Sequence, residues 1–225
     1  MDLVFVHGSC VEDGAWWWSR VAALLPLASI AAPLPSCGAA AGQAGLADDV
    51  AAVRHILSGT GPAIIVAHSY GGVVATEAAA TQDVRQLVYI TSFLPKVGES
   101  LATFAGSEPA PFLDFAADGT FGVRRELTEE LFLQDCDAAA VEGAQARLTR
   151  QSASVVATPV TAAAWQDIPS TYLVCAEDRA TPPELQRSQA ARARRTVELP
   201  TGHHPMLSHP ELVAAEIRAA AGVTR

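Results

Sequence analysis

Ser69, Asp178 and His203 are the residues whose types and order could do chemistry together. A serine hydroxyl is unreactive at neutral pH until a base takes its proton, and that base needs an anchored partner to fix its tautomer. Ser69 lies in Ala67-His68-Ser69-Tyr70-Gly71-Gly72, directly after the apolar run Ala63 to Val66 and before the alanine-rich stretch Val73 to Ala80. This reads as a strand, a tight turn and a helix, with Ser69 at the turn. The pattern Ala67-x-Ser69-x-Gly71 differs from the usual Gly-x-Ser-x-Gly elbow in carrying Ala67 for the first glycine, a position that must be small because strand and helix pass close together.

An acid and a histidine must then end later strands. Thr171 to Cys175 runs into Ala176-Glu177-Asp178, and Thr196 to Leu199 runs into Pro200-Thr201-Gly202-His203-His204. Asp178 is preferred to Glu177 because a carboxylate two residues past the strand reaches inward more readily. His203 is preferred to His204 and His209 because Gly202 permits the turn that throws the next side chain back over the sheet. His204 is left to line the pocket, His7 to brace its loop, His68 to pack at the sheet edge, and His55 to sit on an exposed helix face. Acyl transfer also develops an oxyanion that needs two N–H donors. The main chains of Tyr70 and Ser9 fill that role, with Gly8 letting the first loop turn toward the elbow.

The elements that would position these groups alternate. Leu3 to Val6, Leu27 to Ala32, Ala63 to Val66, Gln86 to Phe93, Thr171 to Cys175 and Thr196 to Leu199 read as strands. Trp16 to Leu25, Leu46 to Leu57 and Pro210 to Ala221 read as helices. Right-handed crossovers between such units build an α/β protein with a mainly parallel sheet of about six strands, flanked by helices. Between Leu94 and Pro169 no convincing strand is visible, only helical segments around Glu126 to Ala140 and Val141 to Ser152. That interval is expected to be a helical cap over Ser69, dividing the chain into core 1–95, cap 96–168 and core 169–225. Leu131, Phe132 and Trp165 from the cap, with Trp17 or Trp18 and Gly8 from the first loop and His204, are candidates for lining a mainly apolar pocket.

Composition narrows the classes. At 225 residues, half of them hydrophobic, the chain can bury a full core. Its net charge of −9 argues against binding a phosphate backbone. No stretch of 18 or more apolar residues occurs and the start is already a strand, so no membrane span and a cytoplasmic location are expected. Cys10, Cys37, Cys136 and Cys175 lack C-x-x-C spacing and are expected as free thiols, without a structural metal.

Five further blocks sharpen the reading: Val6-His7-Gly8-Ser9-Cys10 with Gly14-Ala15-Trp16-Trp17-Trp18, residues 67–72, Ser92-Phe93-Leu94-Pro95-Lys96-Val97-Gly98-Glu99-Ser100, residues 171–179, and Gly202-His203-His204-Pro205-Met206-Leu207. With these the chain resembles the α/β-hydrolase group that contains plant methylesterases, hydroxynitrile lyases and bacterial esterases of the EstC type. The resemblance implies a six-stranded sheet, a helical cap, a Ser69/His203/Asp178 triad, no metal or cofactor, and a homodimer as the common assembly. The lyases have threonine at the position of Gly8 and lysine at that of His204, the lysine serving the departing cyanide, so hydrolysis of a small-molecule ester through an acyl-enzyme is the expected activity. A hydrolase-fold ligand receptor with negligible turnover, or a lyase or tailoring enzyme using the same pocket, are the alternatives.

Overall fold

A computed structural model describes residues 1–106 and 109–223. Asp2–Val6 (β1), Ser29–Ala32 (β2), Ala63–His68 (β3), Val84–Ile90 (β4), Ser170–Cys175 (β8) and Arg195–Leu199 (β9) form one sheet in the order β2-β1-β3-β4-β8-β9, every neighbouring pair parallel. The central strands are apolar on both faces because both faces are covered. The period of two then divides them cleanly. Val4, Val6, Ile65, Tyr89 and Val174 join one core with the helices Leu46–Ser58 (α2) and Gly71–Ala78 (α3). Leu3, Phe5, Ile64, Val88 and Leu173 join a second core with Gly14–Ala22 (α1) and Pro210–Ala221 (α9). Leu3, Ile64 and Ile65 are fully buried, each side chain stabilising the fold by about 1.5–3 kcal/mol.

Local chemistry sets the helix ends. Asp13 accepts the N–H of Trp16 at 3.3 Å to start α1, and Asp48 accepts the N–H of Gly45 at 2.8 Å ahead of α2; each satisfies or fixes a group that helix geometry would leave orphaned. Prolines occupy the first helical positions of Pro183–Ala190 (α7), Pro205–Ser208 (α8) and α9, where a missing N–H costs nothing.

The interval between β4 and β8 differs from the all-helical expectation. It holds a three-stranded antiparallel sheet of Leu113–Phe115 (β5), Thr120–Val123 (β6) and Gln151–Ser152 (β7), in the order β5-β6-β7. Strands this short show no period in the sequence, and Arg150 holds them by donating to Asp114 and Thr120. The helical part is also broken. Thr128–Phe132 (α4) and Ala138–Gln145 (α5) are separate, because the side chains of Gln134 and Asp135 between them turn to bond the core. Ser154–Ala157 (α6) follows the small sheet. The fourth strand stops at Ile90, short of the expected Phe93, because Thr91 takes a φ of 38°. Helix α3 starts two residues earlier than expected, at Gly71.

Candidate active site

β3 delivers Ser69 at a φ of 51°. Non-glycine residues avoid this left-handed region, and the strain, roughly 1–3 kcal/mol, persists only where the surroundings hold it. Here the Ser69 N–H bonds the Ile90 carbonyl at 3.1 Å, and the Ser69 carbonyl accepts the Ser92 hydroxyl at 2.6 Å. Gly71 and Gly72 are needed for closeness, not for a positive φ. A Cβ at position 71 would fall 2.5 Å from the His7 carbonyl oxygen, and one at 72 would fall 1.9 Å from Ser92 Oγ. The missing side chains let the start of α3 seat directly on the loop after β1 at Gly71 and on the loop after β4 at Gly72.

That loop closes over the serine. A Cβ on Gly8 would lie 3.1 Å from Ser69 Cβ and 2.9 Å from His68 Nδ1, so the backbone at residue 8 runs within contact of the elbow. Among the described residues neither the Ser9 nor the Tyr70 N–H has a hydrogen-bond acceptor, and the Ser69 hydroxyl has no hydrogen-bond partner. His7 braces the same loop, its Nδ1–H donating to the Gly8 carbonyl at 2.9 Å.

A buried network supports both sides of this gap. Asp49, fully buried, accepts the Tyr70 hydroxyl at 2.6 Å and both the N–H and hydroxyl of Ser36, at 2.8 and 2.6 Å. Gln151 then donates to Ser36 Oγ at 2.9 Å and accepts the Cys10 N–H at 3.2 Å. One chain of polar contacts therefore ties Tyr70 to the residue after Ser9. Burial raises the Asp49 carboxyl pKa, opposed by the bonds from Ser36 and Tyr70.

Asp178 and His203 are brought together. His203 Nδ1 lies 2.8 Å from Asp178 Oδ2, with both residues buried. Thr91 Oγ1 and Gln186 Nε2 also donate to Oδ2, at 2.6 and 3.0 Å, while the N–H groups of Ala180 and Thr181 donate to Oδ1 at 2.8 and 2.9 Å. Burial alone would raise this carboxyl. The charge and hydrogen bond of His203, with Thr91 and the Thr181 N–H, outweigh it and hold Asp178 below the ordinary carboxylate value. Thus the loop aspartate both caps its own turn and carries the histidine. Glu177 is exposed, and its carbonyl accepts Gln134 Nε2 at 2.9 Å.

Two contacts hold the histidine loop. His68 Nε2–H donates to the His203 carbonyl at 2.8 Å, so His68 joins the serine turn to the histidine turn instead of merely packing at the sheet edge. Asp135 accepts the Gly202 N–H at 2.7 Å and the Ser208 hydroxyl at 2.9 Å. Their only sequence signal is a polar pair interrupting a helical stretch. Phe132 stands edge-on to His203, ring centroids 5.1 Å apart, and its carbonyl faces His204 Nδ1 at 3.1 Å. Trp17 lies over His204 at 4.9 Å. Gly8, Trp17, Trp18, His68 and His204 line a cavity of about 10 Å³, space for a single water. Leu131 is partly buried beside Phe132. Trp165 is fastened to the Pro95 carbonyl at 2.8 Å and packs against the core that contains Tyr70.

The thiols sit apart from this chemistry. All four cysteines are free. Burial pushes Cys10 well above the ordinary thiol value, reinforced by Cys37, and its Sγ–H faces the Phe121 carbonyl; a thiol so held is not a nucleophile.

A model of the alpha/beta hydrolase family matches residues 3–216. The chain belongs to that family. It is similar to "Alpha/beta hydrolase nvfD" of Aspergillus novofumigatus, 30% identical over 213 residues that cover 86% of this chain and 85% of the relative. It is 26% identical to Methylesterase 7 of Arabidopsis thaliana, covering 94% and 93% of the two chains. Among solved structures, a pyrethroid hydrolase of Sphingobium faniae superposes with a TM-score of 0.87 at 24% identity, over 99% of this chain and 97% of that one, which establishes the common alpha/beta hydrolase fold. Among the described residues no helix is long and apolar enough to cross a membrane.

Proposed function

We propose that this alpha/beta hydrolase cleaves a carboxylic ester of a small or aromatic, mainly apolar substrate, with Ser69 as nucleophile, His203 as general base and acid, and Asp178 as the group that orients His203. The observation that carries the reading is the buried His203–Asp178 pair at 2.8 Å, whose histidine turn is bonded by His68, the residue before a serine held at a φ of 51°. Ser69 Oγ attacks the ester carbonyl as His203 Nε2 takes its proton. The oxyanion receives the unengaged N–H groups of Ser9 and Tyr70, each of which contributes about 2.7–4 kcal/mol to such a transition state. The alcohol leaves with the proton from His203, and water, deprotonated by the same nitrogen, releases the acid from Ser69.

Apolar lining comes from Phe132 and Trp17, with Leu131 and Trp165 on the same cap segment, 96–168. Gln134 and Asp135 tether that segment to the loops carrying Glu177 and Gly202. No metal or cofactor takes part in these steps, and the substrate is the only small-molecule partner invoked.

The test is pre-steady-state hydrolysis of a p-nitrophenyl ester by the wild-type chain and by Ser69→Ala. A burst of one p-nitrophenol per chain followed by turnover, absent in Ser69→Ala, is expected. Tight binding of the ester without turnover, unchanged in Ser69→Ala, would instead make the chain a ligand receptor.

A further inference from the structure

Three imidazoles, more than a proton relay uses, stand together beside Ser69. The ring centroids of His68, His203 and His204 form a near-equilateral triangle with sides of 4.8, 4.8 and 4.9 Å, and all three residues are buried. Each ring has one nitrogen engaged: His68 Nε2 with the His203 carbonyl at 2.8 Å, His203 Nδ1 with Asp178 at 2.8 Å, and His204 Nδ1 with the Phe132 carbonyl at 3.1 Å. Carbonyls and carboxylates only accept, so the engaged nitrogens carry the protons. In a neutral ring the other nitrogen then presents a lone pair. His68 Nδ1, His203 Nε2 and His204 Nε2 are therefore donors of electron pairs, each backed by an oxygen acceptor that fixes its ring.

An imidazole with its far N–H anchored on a carboxylate or carbonyl is the form in which histidine binds metal ions. One ring nitrogen from each residue lies within 4.8 Å of one from each of the others. We propose that this cluster binds a divalent transition metal of the zinc and copper class through His68, His203 and His204, and that the bound ion reversibly blocks the site. The donor set selects the ion. Three imidazoles, with no carboxylate in the cluster among the described residues, suit Zn²⁺ and Cu²⁺ and offer nothing to Mg²⁺ or Ca²⁺.

Binding needs a modest closure. Zn–N bonds of about 2.0–2.1 Å in a tetrahedron place ligand nitrogens about 3.4 Å apart, so the rings must turn inward from their present spacing. The ion would occupy the lone pair with which His203 takes the serine proton. That half of the proposal rests on the hydrolase reading, whereas binding itself does not.

The experiment is isothermal calorimetry of Zn²⁺ with chelator-treated wild-type chain, His68→Gln, His204→Gln and, as controls at the two remaining exposed or half-exposed histidines, His55→Gln and His209→Gln. One ion per chain is expected in the wild type and in both controls. Affinity is expected to fall about 100-fold or more in His68→Gln and His204→Gln, since losing the partner behind a ligand already costs about 10–100-fold. Should either variant fail to fold, Cu²⁺ broadening of the imidazole NMR signals of the wild-type chain replaces it, with His68, His203 and His204 expected to vanish first. Inhibition of p-nitrophenyl ester turnover by Zn²⁺, reversed by EDTA and not reproduced by Mg²⁺, is the functional readout. No stoichiometric binding, or broadening confined to His55 and His209, overturns the site. Stoichiometric binding in a chain that hydrolyses no ester would leave the site standing and remove only the hydrolase reading.

Discussion

Asp178→Asn should inactivate the chain by changing which nitrogen of His203 holds the proton. The carboxylate receives five donors: the Ala180 and Thr181 N–H groups on Oδ1, and Thr91 Oγ1, Gln186 Nε2 and His203 Nδ1 on Oδ2. An asparagine must put its NH₂ on one side. The backbone donors on Oδ1 cannot turn away, so the amide oxygen goes there and the NH₂ faces the other three. Thr91 can rotate its hydroxyl, but Gln186 cannot flip because its Oε1 accepts the Cys175 N–H at 2.8 Å. The ring of His203 adapts most easily, by moving its proton to Nε2 and accepting at Nδ1. That tautomer has no lone pair for the Ser69 proton. A tautomer error of this kind costs about 10⁴-fold in kcat in serine hydrolases, about 5 kcal/mol in the barrier. Saturating p-nitrophenyl ester kinetics measure it, and ¹⁵N imidazole shifts report the tautomer. A variant that keeps kcat within about tenfold of wild type, or that keeps the proton on Nδ1, refutes the reasoning.

Tyr70→Phe removes a hydrogen bond to a buried carboxylate, worth about 1.5–3 kcal/mol, and should lower Tm by about 3–12 °C; an unchanged melting curve would remove the Asp49 hub from the account. Acid should destabilise the fold from pH 6.5 downward. His68 and His204 stay neutral when folded but take protons when unfolded, so stability falls by about 1.4 kcal/mol per pH unit for each ring, for His204 as far as about pH 3. Urea midpoints between pH 7 and 4 should show a shallower slope in His204→Gln. Gly72→Ala drives a methyl against Ser92 Oγ and the Phe93 carbonyl, 1.9 and 2.8 Å from the ideal Cβ, and should cost about 1–3 kcal/mol together with activity. Gly61→Ala, whose Cβ meets nothing within 4 Å, should stay within about 0.5 kcal/mol in the same denaturation assay.

The core strands and the elbow were legible because burial on both faces forces unbroken apolar runs, as in Ala63 to Val66, and because Gly71 and Gly72 mark a close approach. Helix α9 was legible to the residue, its first position set by Pro210. The small sheet of β5, β6 and β7 was not, since two- to four-residue strands carry no period, and β5 and β6 are held by Arg150, which lies far along the chain from both, just before β7. The break between α4 and α5 was hidden for a related reason: Gln134 and Asp135 leave the helix to bond Glu177 and Gly202, partners far along the chain. That Ser69 would sit at the turn after β3, and that Asp178 and His203 would meet, could be read from order and strand ends alone. The parts that position them could not. Thr91 and Gln186 on Asp178, His68 on the His203 carbonyl, and Gln151 between Ser36 and Cys10 are ordinary residues whose roles exist only in three dimensions.

Covalent labelling with a fluorophosphonate, read by intact mass and peptide mapping, tests the nucleophile directly. One adduct per chain, located on Ser69, absent in Ser69→Ala and strongly slowed in Asp178→Asn, is the predicted result. A folded chain that stays unlabelled, or an adduct on another residue that persists in Ser69→Ala, would contradict it.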